Sequence, residues 1–171
     1  MLEEKKENVQ ISTYSIVLRL LYRYGNVIVT LFLLLYLLPI VVNLDQKLIL
    51  LLPLLLILFL IYYVNKHYFM LYKIMPFKIE FDDEKMICTK FILGRKKFDV
   101  YYADINKLEG GVFDNKMSGI MKVYDGKNSV IIGFYPRIRN SNKLITMILS
   151  KVKKEIYDEV MERLLKKKKS K

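Results

Sequence analysis

The chain holds one cysteine, one histidine and no tryptophan, and these scarcities remove whole classes of chemistry. Cys88 alone cannot close an internal disulfide, which suits a reducing compartment. With only Lys85 and Lys90 as nearby cations, it reads as a buried strand thiol rather than a reactive one. His67 has neither cysteine nor carboxylate close to it in sequence, so a metal site lacks ligands. A Ser–His–acid triad would have that single imidazole to draw on. Charge is missing too, but only locally: residues 24–44 and 48–65 contain no Asp, Glu, Lys or Arg. Ion pathways and proton relays need ionisable groups at membrane depth, so a pump or coupled transporter built from these segments alone is not expected.

What those segments do contain is Leu, Ile and Val at a length that fits a bilayer. A hydrocarbon core of about 30 Å takes roughly 20 helical residues. The short loop at Asp45, Gln46 and Lys47 sends the second helix straight back, which predicts a transmembrane helical hairpin with spans at 24–44 and 48–65. Thr30, Tyr36 and Asn43 read as the polar groups within, the last near an interface. Pro39 and Pro53 sit a few residues from the loop, where a kink is tolerated. Small residues are scarce, so glycine-mediated helix packing is not evident. Tyr62, Tyr63 and Tyr68, with Lys66 and His67 among them, suit an interfacial belt.

Lys and Arg number 29 against 17 Asp and Glu, a net charge of +12, and all of that excess lies outside the two spans. Lys5, Lys6, Arg19 and Arg23 precede the first span, and Lys66, Lys73 and Lys78 follow the second, against Lys47 alone in the loop. The retention of cations on the inner side then predicts a multi-pass protein of the inner (plasma) membrane with both termini cytoplasmic. The first span lacks the short apolar core and cleavage site of a signal peptide and is expected to stay attached. Ahead of it, Ser12, Ser15, Arg19, Arg23 and Asn26 fall on one helical stripe opposite Tyr14, Val17, Leu18 and Leu21. Two readings stand: an interfacial helix within residues 1–23, or a first span prolonged into water with its arginines snorkelling.

After a juxtamembrane linker at 66–76 the period changes from helical to two. Phe77, Ile79 and Phe81 alternate with Lys78, Glu80 and Asp82; a turn at Asp83 and Glu84 leads to a second strand ending near Leu93; and Gly94 and Arg95 turn the chain again. Phe98, Val100 and Tyr102 continue the alternation, a strand is expected over 106–113, and Asp125 and Gly126 between two β-rich runs read as a two-residue hairpin turn. The sum is six or seven antiparallel strands. From Ser141 or Asn142 a single long amphipathic helix is expected to about residue 165, with Leu144, Ile145, Ile148, Leu149, Val152, Ile156, Val160 and Leu164 on one face. A polybasic tail, 166–171, closes the chain.

The strand, acidic turn and strand over 77–93, the segment from Tyr102 through Asp104 and Ile105 to Leu108, and the closing helix after Asn140, all placed behind a helical hairpin, resemble the bacterial pleckstrin-homology (PH)-like domain proteins of the membrane. The likeness implies an α+β membrane protein: a two-helix transmembrane hairpin followed by a PH-like antiparallel β-barrel or sandwich over 77–165, closed by a long C-terminal amphipathic helix. It also implies a binding or assembly module rather than an enzyme. The chain departs from the phosphoinositide-binding branch, whose first hairpin turn carries Lys and Arg; here the turn is Asp82, Asp83 and Glu84, which repels phosphate.

No other motif supplies chemistry. The acidic turn lacks the spaced ligands and glycine of an EF-hand, Gly126 and Lys127 do not make a phosphate loop, and Gly110 and Gly111 suit a bulge or close backbone contact. No cofactor, metal or catalytic residue is expected. The sharpest functional candidates are Arg19, Arg23, Lys166, Lys167, Lys168, Lys169 and Lys171 as contacts to anionic lipid headgroups, each cation contributing about 1 kcal/mol near an anionic leaflet; a solvated, dipole-complementing helix end accounts for the tail equally well. Expected partners are the lipid bilayer, anionic headgroups without specificity, and a membrane or cytoplasmic protein or a second copy of the chain. Nucleic acid is not among them. The function expected is a non-enzymatic, membrane-anchored scaffold or binding module; the alternative is an accessory subunit of a transport or envelope-maintenance complex.

Overall fold

Leu, Ile and Val dominate both uncharged runs, and in the computed structural model, which describes residues 9–45, 48–93 and 97–169, both are helical. Helix α1 spans Ile16–Val42 and α2 spans Leu51–Ile74, the second led in by a 3-10 turn at Leu48–Leu50. Both are long and apolar enough to cross a membrane. The two prolines are accommodated by position. Pro53 is the third residue of α2, where an N–H has no partner in any helix. Pro39 lies inside α1, and its carbonyl accepts a hydrogen bond from Asn43 Nδ2 at 2.7 Å.

Among the described residues, the helix that holds Arg19 and Arg23 is α1 itself, which starts at Ile16 and runs unbroken through both. Ser12 belongs to a strand, β1 (Gln10–Thr13), whose alternate residues face the interior and whose Ser12 is fully buried. The strands that follow are β2 (Pro76–Phe81), β3 (Lys85–Phe91), β4 (Phe98–Tyr101), β5 (Ile105–Glu109), β6 (Met121–Asp125) and β7 (Val130–Phe134). They form two antiparallel sheets, ordered β1-β2-β3-β4 and β5-β6-β7. The architecture is α+β with two open sheets and no closed barrel, which corrects the barrel alternative. Gln46 and Lys47 of the expected loop, the turn at Gly94 and Arg95, Lys5, Lys6 and Lys171 lie outside the described residues.

The chain divides into two compact units, one made of residues 16–73 and the other of the segments up to residue 15 and from residue 74 onward. The helical unit is thus inserted between two neighbouring strands of one sheet. Strand β1 pairs with β2 in the register Gln10↔Phe81 to Thr13↔Lys78, so in topological terms both helices and their loop are the connection of a β-hairpin.

Within the β unit the period-two pattern sets the core. Phe77, Ile79 and Phe81 of β2 point inward with Met86 and Cys88 of β3 and Val100 of β4; Ile105, Leu108, Met121, Val123, Ile132 and Phe134 fill the second sheet's inner face. Two helices cover this core instead of one. Helix α3 (Ser141–Lys151) buries Leu144, Ile145 and Ile148, and α4 (Lys154–Lys169) buries Ile156 and Val160. Val152, extended at φ −71° and ψ 163°, separates them while its N–H still bonds to the Ile148 carbonyl at 3.0 Å. The hydrophobic stripe continues across this break, which is why its spacing predicts one helix.

Two further expectations change in detail. Strand β5 stops at Glu109, and Gly111–Asp114 form a 3-10 turn. Gly110 has φ 77°, and a Cβ there would collide with the Ile120 carbonyl, so close backbone approach fixes the glycine. The β6–β7 connection has four residues rather than two, because the Asp125 carboxylate gathers Lys127 N, Asn128 N and Asn128 Nδ2 at 2.7–3.2 Å.

Candidate functional site

The acidic turn between β2 and β3 is a structural device. Asp82 is buried, and its Oδ1 accepts hydrogen bonds from Glu84 N at 2.7 Å and Lys85 N at 2.8 Å. Tyr102 donates its hydroxyl to the Asp82 carbonyl at 3.1 Å, and burial, reinforced by the Asp82 charge, pushes that phenol above its ordinary value. Asp83 pairs with Lys151 at the end of α3, 3.1 Å away. Cys88 is fully buried in β3, and burial pushes its thiol far up, so no thiolate nucleophile forms there. Among the described residues, no group of three or more His, Cys, Asp or Glu could hold a metal ion.

The helical unit carries a polar cluster that sequence reasoning overlooked. Asn26 Nδ2 of α1 donates to Asn65 Oδ1 of α2 at 3.0 Å; Asn65 Nδ2 donates to Thr30 Oγ1 at 2.8 Å and to the Ile61 carbonyl at 2.9 Å. Tyr72 donates toward Asn26 Oδ1 at 2.5 Å and the Arg23 carbonyl at 2.7 Å. Beside Asn26, Gly25 lies against the hydroxyl end of Tyr68, which any Cβ would strike. The signal was present: asparagine amides in largely apolar helices are costly in lipid unless they find partners, and a glycine lets helices approach closely. Thr30 joins this cluster, whereas Tyr36 is exposed and Asn43 bonds to its own helix. Replacing Asn65 with Leu leaves the Asn26 amide and Thr30 hydroxyl without that partner. The expected loss is about 1 kcal/mol of helix association, measurable as a lower denaturant midpoint for the detergent-solubilised full chain; an unchanged midpoint would show the cluster to be incidental.

The cations expected to contact lipid fall in separate elements. Arg19 and Arg23 lie in the first eight residues of α1, with the Arg23 guanidinium 5.4 Å from the Tyr24 ring centroid. Lys166 is in α4 and pairs with Glu162 at 2.7 Å, which holds that carboxyl below its ordinary value. The backbone of Lys167, Lys168 and Lys169 continues α4, and Lys171 is outside the described residues. His67 packs edge-on against Tyr68, with ring centroids 6.4 Å apart.

One hollow on the surface of the β unit, about 600 Å³, opens at the α3–α4 break and is lined by Leu149, Val152, Tyr157 and Met161 with Thr146, Ser150 and Lys154. A smaller one, about 430 Å³, lies where Gln10 of β1 faces Asn142, Lys143, Thr146 and Met147 of α3. Comparison of the chain with protein families, with curated proteins and with solved structures returns no match.

Proposed function

We propose that this protein is a non-enzymatic module held on the cytoplasmic face of the inner membrane by its helical hairpin, acting through contact with a partner protein or a second copy of itself. The observation that carries the reading is the β1–β2 pairing across the inserted helices. Both ends of the hairpin are tied to one folded unit, which favours a fixed attachment with that unit on a single side. The division into four and three strands, followed by closing helices, supports the PH-like resemblance. The side chains best suited to catalysis have structural duties: Asp82 and Asp125 bind turn N–H groups, and Cys88 is sealed in the core.

The hollow at the α3–α4 break supplies the contact surface. Tyr157 and Met161 are the residue types enriched at interfaces, and tethering raises the effective concentration of any partner on the same membrane. Arg19, Arg23, Lys166, Lys167, Lys168, Lys169 and Lys171 add non-specific attraction to anionic headgroups. Crosslinking the full chain in native membranes tests the reading. Small oligomers or a discrete one-to-one adduct, lost on Tyr157→Ala, are expected; recovery as a fixed component of a large complex would replace it with the accessory-subunit function.

A further inference from the structure

The segment that links β7 to α3 carries two exposed arginines, Arg137 and Arg139, on either side of buried Ile138. Neither side chain has an ion pair or hydrogen bond among the described residues. The backbone between them is not loose. Arg139 N donates to the Thr13 carbonyl at 3.0 Å, Asn140 Nδ2 to the Ile11 carbonyl at 3.1 Å, and Tyr135 N to the Tyr14 hydroxyl at 2.8 Å. These bonds sew the segment along the outer edge of β1, and Ile138 anchors it from beneath.

Chain connectivity bounds how far this segment can lie from the start of α1. Thr13 stands three residues before Ile16, so no more than about 11 Å of chain separates it from the start of α1. The 27 residues of α1 extend about 40 Å, which matches a bilayer with its headgroups rather than its hydrocarbon alone. Ile16 and Val17 are 75% and 74% exposed, as expected of side chains that meet lipid from the first turn. Resting on the membrane-anchored reading above, we infer that Arg137 and Arg139 form a docking surface for anionic phospholipid headgroups, held against the bilayer by the β1 stitch. Lys143 lies beside Gln10, at the end of β1 opposite to Thr13, and the length of that strand is about 10 Å, more than a physiological Debye length of about 8 Å.

The test uses the full chain in lipid nanodiscs, with a fluorophore on Asn142→Cys; Cys88 is buried and stays unlabelled. Nanodiscs of phosphatidylcholine are compared with discs containing about one-third phosphatidylglycerol, both carrying a nitroxide-headgroup lipid as quencher. Each arginine near an anionic surface favours it roughly fivefold at physiological ionic strength, so quenching is expected to be at least about twofold greater in the anionic discs. Arg137→Gln with Arg139→Gln brings it to the neutral-disc level, and Lys143→Gln leaves it in place. Equal quenching in both disc types, persistence in the double variant, or equal loss in Lys143→Gln overturns the docking surface while the anchor stands. A chain stripped from native membranes by alkaline carbonate overturns both.

Discussion

A chain in which residues 16–73 are replaced by a short glycine-containing turn is expected to fold as a water-soluble domain, and the same chain lacking residues 1–15 is expected to lose that fold. The first outcome follows from register. Thr13 and Lys78 are antiparallel partners, and directly opposed Cα atoms lie about 5 Å apart, so an ordinary hairpin loop from Ser15 to Ile74 can span the gap that 58 residues now fill. The second follows from what β1 contributes. Tyr14 is 2% exposed and meets Phe77 edge-on at 6.1 Å, a burial of about 2 kcal/mol. Its hydroxyl, the Thr13 carbonyl and the Ile11 carbonyl each accept a bond from the segment after β7, at about 1 kcal/mol apiece. Removing β1 also opens the edge of β2. A loss of about 5 kcal/mol approaches the whole stability of many small domains. Circular-dichroism melts and gel filtration decide the matter: cooperative melting of the excised chain and none of the trimmed one is expected, and equal melting temperatures for the two would refute the role given to β1.

The same strand shows where sequence reading stops. Phe77, Ile79 and Phe81, or Leu144, Ile145 and Ile148, betray themselves because each period persists over several residues on an element whose neighbours follow closely in the chain. The sequence Gln10–Thr13 is only four residues long, its partner begins more than 60 residues later, and Ser12, Ser15 and Arg19 mimic a helical stripe that belongs in truth to two different elements. The α3–α4 break is invisible for a related reason. Neither Gly nor Pro marks it, and Val152 turns the chain while the apolar spacing stays in phase. At Asp125 and Gly126 local chemistry misleads: the pair favours a tight turn, yet the Asp125 carboxylate is satisfied by the N–H groups of a longer one. The asparagine cluster was legible in composition alone, since Asn26 and Asn65 are amides inside spans built largely from hydrocarbon side chains, though their pairing depends on the interhelical register.

Replacing Arg163 with Ala is expected to detach α4 from the second sheet. Its guanidinium is a two-way clamp: Nη1 bonds to Asp114 Oδ1 at 2.6 Å, and Nη2 to the Leu108 carbonyl at 2.7 Å. Asp114 in turn accepts Gly110 N at 2.9 Å, and Asn115 Nδ2 reaches the Leu164 carbonyl at 3.3 Å. One arginine therefore ties α4, the end of β5 and the glycine turn together. Arg163 and Asp114 are 28% and 27% exposed at the side chain, so solvent screening tempers the ion pair itself. The larger loss comes from leaving a carboxylate and a backbone carbonyl short of a donor, about 2 kcal/mol in all, or roughly 8 °C in melting temperature for a domain of this size. Arg163→Lys recovers little, because a single ammonium cannot present a planar fork to two acceptors set at different angles. Amide exchange should report it most directly, with protection falling first along α4 and in the 110–115 turn while β2 and β3 keep theirs. Unaltered exchange in α4 would mean that burial of Ile156 and Val160 holds the helix without the clamp.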